Sequence, residues 1–192
     1  EGFRYPLIAE TRRGYQNLCR LITHIKLNRL PGASLQDLEE RAEGLICLTR
    51  GVQIPWERLS SIFGPRNVFV ELQRHYQRDE EARNQAAIEK ARQLKLTLLA
   101  TNGVSYATPA SLELQDILTC TRHGTTIHEA GKLLERNAER YPKPEQEMLR
   151  LFGDVPEAVH NAGELASRIS YTLENLGYQF PPYPAPPGET MD

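Results

Sequence analysis

Leu96-Thr97-Leu98-Leu99-Ala100-Thr101-Asn102-Gly103-Val104-Ser105-Tyr106 (LTLLATNGVSY) is an apolar run that stops abruptly in polar residues and glycine. A buried parallel strand has this form, and in α/β folds the ends of such strands deliver side chains into the mouth where chemistry is done. Here the delivered side chains are poor in chemistry. Gly103 has none and Ser105 has only a hydroxyl, so neither position supplies a strong metal ligand or a general base. The stretch has the position of an active site without its residues.

The flanking sequence repeats the strand signal at intervals suited to βα units. Tyr5 to Ala9, Leu45 to Leu48 and Val68 to Leu72 read as further strands. Between them lie amphipathic segments. Tyr15 to Leu27 carries Leu18, Leu21, Ile22 and Ile25 at helical spacing, and a second helix begins at Ser34, with Asp37 three residues on completing a capping box. Pro55 to Leu59 reads as a short helix opened by proline, and Asp79 to about Leu94 as a charged helix. Alternation of this kind predicts an α/β fold with a parallel sheet and right-handed crossovers.

Beyond Tyr106 the strand signal disappears. Ser111 to Thr121 reads as a helix with Leu112, Ile117 and Leu118 on its apolar face, followed by helices at Gly131 to Arg140, Pro144 to Phe152 and Pro156 to Ile169. The segment from Phe180 to Gly188 has five prolines in nine residues, which predicts extended or polyproline II backbone and a linker role.

The 192 residues, 40% hydrophobic and 25% charged, suffice for a sizeable core. Lys plus Arg (23) against Asp plus Glu (25) leaves a formal charge of −2, which argues against a freestanding basic nucleic-acid clamp. No apolar run approaches the roughly 18 residues of a membrane helix. Glu1-Gly2-Phe3-Arg4 does not read as a signal peptide, so a cytoplasmic setting and no membrane partner are expected. Cys19, Cys47 and Cys120 are odd in number, far apart and set in apolar patterns, as core residues are.

Few residues invite a chemical role. Glu71, Gln73 and His75 alternate onto one face of a strand end while Arg74 points to the other. Glu71 with His75 would begin a metal or acid–base site, but the plainer reading is a polar strand end tied to neighbouring loops. His123 and His128 flank a loop-like tetrapeptide and are expected in solvent, while His24 and His160 fall within helices. Arg12, Arg13, Arg20, Lys26 and Arg29 gather in and around the first long helix, where they either touch phosphates or form its solvated face. GxGxxG, P-loop, HExxH and GxSxG motifs are all absent from the sequence.

Several segments in order, VFVELQRH from Val68, LTLLATNGVSYA from Leu96 and LQDILTCTRHGTT to Thr126, resemble the PHP domain of bacterial C-family DNA polymerases, the replicative alpha-subunit type. Gly14 to Leu21 (GYQNLCRL), Leu38 to Gly51 (LEERAEGLICLTRG), Ala138 to Tyr141 (AERY) and Asn175 to Thr190 (NLGYQFPPYPAPPGET) extend the resemblance to nearly the whole chain. Glycine in ATNGV and the PxYPxPxGET ending are most like the error-prone branch. The resemblance implies part of a PHP-type β/α barrel, with residues 1–122 as the later part of the PHP domain, 123–178 as a helical extension toward a polymerase palm, and 179–192 as a proline-rich linker.

It also implies a meaning for the poor mouth. Metal-binding members of the family carry Asp at the Gly103 position, His at the Ser105 position and Cys where Gly51 stands, so a degenerate metal site is expected, with no catalytic residue and no cofactor in this chain. Further ligands of the family come from histidine-rich motifs earlier than residue 1, and the palm carboxylates with their magnesium from beyond Asp192. Partners implied by the resemblance are the palm, DNA, a sliding clamp and an accessory mutagenesis protein. The alternative is an active metal-dependent PHP phosphoesterase or 3′-5′ proofreading exonuclease using Glu71 and His75, with Arg12, Arg13, Arg20 and Lys26 as possible DNA contacts in either case.

Overall fold

Two strands, β2 (Leu45–Thr49) and β3 (Val68–Leu72), are buried at every residue, which follows from runs of apolar side chains covered on both faces. The structure, a computed structural model, describes residues 4–51 and 53–175. With β1 (Leu7–Ala9) and β4 (Thr97–Ala100) these strands form one open sheet in the order β1-β2-β3-β4. β2 pairs parallel to β3 and β3 parallel to β4, through registers such as Leu48 with Phe69 and Leu72 with Ala100. The molecule is a mixed α/β protein with a mostly parallel four-stranded sheet.

β1 departs from the expected parallel arrangement. It runs antiparallel to β2, with Leu7 opposite Cys47 and Ala9 opposite Leu45. Two helices, α1 (Arg12–Leu27) and α2 (Leu35–Glu39), separate the strands, and two helical passes reverse the direction in which the chain re-enters the sheet. The α2 start shows the predicted capping box: Ser34 Oγ accepts from the Asp37 N–H while the Asp37 carboxylate accepts from the Ser34 N–H. Gly14 in α1 presses on the turn before β2. A Cβ there would lie 1.8 Å from the Gly44 carbonyl oxygen, so only glycine permits the approach that lets Asn17 Nδ2 bond the Glu43 carbonyl at 2.9 Å.

Alternation along the strands divides the core. Leu45, Cys47 and Val68 pack with Leu21 of α1, Leu38 of α2, and Leu59 and Phe63 of α3 (Trp56–Phe63). Val70, Leu72, Leu98 and Ala100 pack with Ala87, Ile88 and Ala91 of α4 (Arg78–Leu94), and with Phe152, Val155 and Ala158. Ile46, Leu48, Phe69 and Leu99 occupy the opposite face with Leu165 of α8 (Glu157–Arg168). The α8 helix also closes the β4 edge, where Asn161 Nδ2 donates to the Leu98 carbonyl at 2.8 Å.

The second half differs from expectation in two places. α5 (Leu112–His123) exposes Ile117 and Leu118 instead of burying them with Leu112. At about 100° per residue Leu112 is about 140° from Ile117 and 120° from Leu118, so the three do not share a face. The helix expected over Gly131 to Arg140 is replaced. After α6 (Ile127–Ala130), Gly131 turns to φ +48° and ψ −114°, a single 3-10 turn spans Gly131–Leu133, and residues 134–144 run irregularly. Their backbone groups bond to other loops, which overrides local helix preference. α7 (Glu145–Leu151) and α8 follow, each preceded by a proline, Pro144 and Pro156, at the capping position. The proline-rich segment expected at 179–192 lies outside the described residues.

Candidate functional site

Parallel pairing brings the C-terminal ends of β2, β3 and β4 to one edge of the sheet, so Arg50-Gly51, Gln73-Arg74-His75 and Thr101-Asn102-Gly103 gather in one region. Alternation out of β3 buries Glu71, Gln73 and His75. Glu71 Oε1 accepts from Thr101 Oγ1 at 2.6 Å and from Gln73 Nε2 at 3.0 Å. Arg74 points the other way: its guanidinium bonds the Glu81 and Asp154 carboxylates and the Leu151 carbonyl, and lies 5.0 Å from the Phe152 ring centre. It ties the strand end to α4 and the α7–α8 turn. The Asp154 carboxyl, hydrogen-bonded by Arg74, is held down to about 2.

His75 is fully enclosed and both of its ring nitrogens face oxygen acceptors. Nδ1 lies 2.9 Å from Glu80 Oε1 and Nε2 lies 3.0 Å from the Asn102 carbonyl oxygen. The His75 backbone N–H donates to Glu80 Oε2 at 2.7 Å, and Arg50 Nη2 approaches Glu80 Oε1 at 3.3 Å. Burial pushes the Glu80 carboxyl up, but hydrogen bonds from the His75 ring and backbone, with the charges of His75 and Arg50, outweigh it and hold the group below the usual carboxylate range.

Residues 134–143 cover this cluster. Asn102 Nδ2 donates to the Glu139 and Tyr141 carbonyls, and Asn137 Nδ2 donates to the His75 carbonyl at 2.7 Å. The Arg140 carbonyl accepts from the Ser105 N–H at 2.9 Å, and the Tyr106 hydroxyl accepts from the Arg140 N–H at 3.2 Å. The Arg140 guanidinium then enters the mouth: Nη1 lies 3.3 Å from Gln73 Oε1 and 3.4 Å from the Gly103 carbonyl oxygen, while Nε pairs with Glu135 at 3.0 Å. Lys143, with its side chain fully enclosed, donates to the Glu139 carbonyl and lies 3.8 Å from the Tyr141 ring centre.

The positions expected to mark a lost metal site fall on this edge and do not supply donors. Gly51 has φ +106° and open space where a Cβ would stand. Gly103 has φ +50°, and a Cβ there would lie 2.6 Å from Gln73 Oε1 and 2.7 Å from Arg140 Nη1. Ser105 is exposed, with Oγ 3.5 Å from the Gly103 carbonyl. Among the described residues no group of three or more His, Cys, Asp or Glu side chains is arranged to hold a metal ion. The residues present do not fit a metal cluster, because a guanidinium lies against Gly103 and the two carboxylates are engaged by protein donors.

The remaining sequence candidates lie elsewhere. Arg12, Arg13, Arg20 and Lys26 are exposed on α1 and enter none of the mouth contacts above. Arg13 pairs with Glu43 at 3.2 Å, and Arg20 Nη1 reaches Asn17 Oδ1 at 3.5 Å. His123 and His128 are exposed, at a helix end and within a short helix rather than in a loop. His24 pairs with Asp37 at 3.0 Å. Sequence reasoning missed Glu80, Asn102, Asn137 and Arg140 as members of the mouth, because residues on a helix start and on separate loops give no spacing signal. Among the described residues no helix is long and apolar enough to cross a membrane.

The chain is 43% identical over 126 residues to the error-prone DNA polymerase of Brucella suis biovar 1, covering 66% of this chain and 12% of that protein. The error-prone DNA polymerase of Rhodopseudomonas palustris strain BisB5 is 35% identical over 197 aligned positions, covering 97% of this chain and 17% of the relative. That of Bradyrhizobium diazoefficiens is 50% identical over 96 residues, half of this chain and 8% of the relative. The chain therefore corresponds to a segment spanning well under a fifth of these proteins. No protein-family model matches it.

Proposed function

We propose that this chain is a scaffolding segment of an error-prone, C-family DNA polymerase: a PHP-type unit with a degenerate metal site, joined by residues 123–178 to a polymerase palm that performs the chemistry. The observation that carries the non-catalytic assignment is the Arg140 guanidinium set against Gln73 and Gly103, where a catalytic PHP site would need open space and anionic or imidazole ligands. The polymerase assignment is supported by similarity along nearly the whole chain to proteins bearing that name.

In this reading the parent enzyme acts in the cytoplasm, extends primers past damaged template bases with magnesium held by palm carboxylates, and works with a sliding clamp and an accessory mutagenesis protein. The segment contributes rigidity. Its sheet is sealed on both faces and its polar strand ends are tied to α4, α7 and residues 134–143.

The test is primer extension by the full-length protein on a template carrying an abasic site, with a 3′-labelled primer in a parallel lane. Extension without loss of the 3′ label, unchanged by His75→Ala beyond its effect on stability, is the expected outcome. Metal-dependent removal of 3′ nucleotides that disappears in His75→Ala would establish the exonuclease reading instead.

A further inference from the structure

α5 carries its continuous apolar stripe on its exposed side. Its inner side carries Leu112, Asp116 and Thr119, all half-buried, with the buried Cys120, and its principal neighbours are α6 and the turn at Pro109–Ser111. Its outer side carries Leu114, Ile117 and Leu118, which are 59%, 51% and 55% exposed, with Thr121 beside them. The spacing i, i+3, i+4 and i+7 makes these four one continuous stripe. Glu113 and Arg122 stand on its two flanks, so charge borders the stripe without interrupting it. A helix at a finished protein surface has one apolar face and one polar face. On α5 the continuous apolar face is the exposed one, and such a face marks a surface that packs against a partner.

We infer that the Leu114–Ile117–Leu118 stripe is a docking surface inside the longer polypeptide, covered by an apolar face of the rest of the polymerase chain. The inference rests on the polymerase reading above. The matched segments make up 12% and 17% of the Brucella suis and Rhodopseudomonas palustris proteins, so most of a chain of that kind is available to cover the helix. The stripe also follows the sheet in the chain, immediately before residues 123–178 that lead toward the expected palm. An intramolecular cover needs no large area of its own, because the covalent connection keeps the two surfaces at high effective concentration.

The experiment is thiol labelling of Leu118→Cys in the full-length protein, read by peptide mass spectrometry so that Cys19, Cys47 and Cys120 are followed separately. Docking predicts that the introduced thiol reacts at least tenfold more slowly in the native protein than in denaturant, and equally slowly across a hundredfold range of protein concentration. Reaction at the denatured rate would overturn the proposal, and so would protection that vanishes on dilution, which would assign the stripe to a second copy of the chain. A second variant, Ile117→Glu, keeps helix propensity and is expected to lower the melting temperature of the full-length protein, whereas Glu113→Gln on the flank is not. Primer extension by the same preparations separates the two claims. A working polymerase whose introduced thiol labels freely refutes the docking surface alone.

Discussion

Gly103 concentrates the local argument. Its backbone lies in the left-handed region at φ +50°, and its missing Cβ is the space in which the Gln73 amide and the Arg140 guanidinium meet. Gly103→Ala therefore combines backbone strain with displacement of a buried contact, and a loss of about 3 kcal/mol in unfolding free energy is expected by urea titration. Glu80 governs the acid limb of stability. Its carboxyl is held below the ordinary range in the folded state, so its stabilisation is complete above the unfolded value and is lost as pH falls through the lower folded value. Glu80→Gln removes that contribution and leaves the His75 ring and Arg50 without their anion. The variant should lose about 2–3 kcal/mol at neutral pH and show a shallower decline between about pH 5 and pH 3 in thermal melts. That Gly103 and Ser105 supply no strong donor was legible from residue type alone. That Arg140 fills the space was not, since 37 residues separate it from Gly103.

At the scale of elements, the strands and most helices were legible because continuous apolar runs and capping chemistry are local signals. LICLT and VFVEL are buried at every position, and the Ser34–Asp37 box caps α2 as read. Direction of pairing was less legible. β1 carries an ordinary strand pattern, and its antiparallel setting follows from two helical passes rather than from its own residues. Residues 134–143 misled because their composition suits a helix while their backbone groups are engaged by Asn102, Ser105 and Tyr106. The same bonds make a prediction. Arg140→Ala removes the one guanidinium that reaches the mouth from this segment, so amide exchange over 134–143 should rise by about tenfold or more while exchange in β2 and β3 stays unchanged. Equal exchange in both proteins would show that the side chain does not hold the segment down.

Over the whole molecule, two features bear on the proposed scaffold role. The carboxylates of the polar edge are engaged by protein donors, Glu71 by Thr101 and Gln73 and Glu80 by His75 and Arg50, while the buried Asn102 Oδ1 and Arg140 Nε make no hydrogen bond. A metal centre would instead leave its carboxylates facing a cleft. The exposed stripe of Leu114, Ile117 and Leu118 lies away from that edge, on α5. The most direct test of this account is elemental analysis of the full-length protein purified without chelators, as wild type, His75→Ala and Glu71→Gln. Zinc and manganese contents that are the same in all three proteins are predicted. Stoichiometric zinc or manganese in the wild type that is lost in either variant would contradict it.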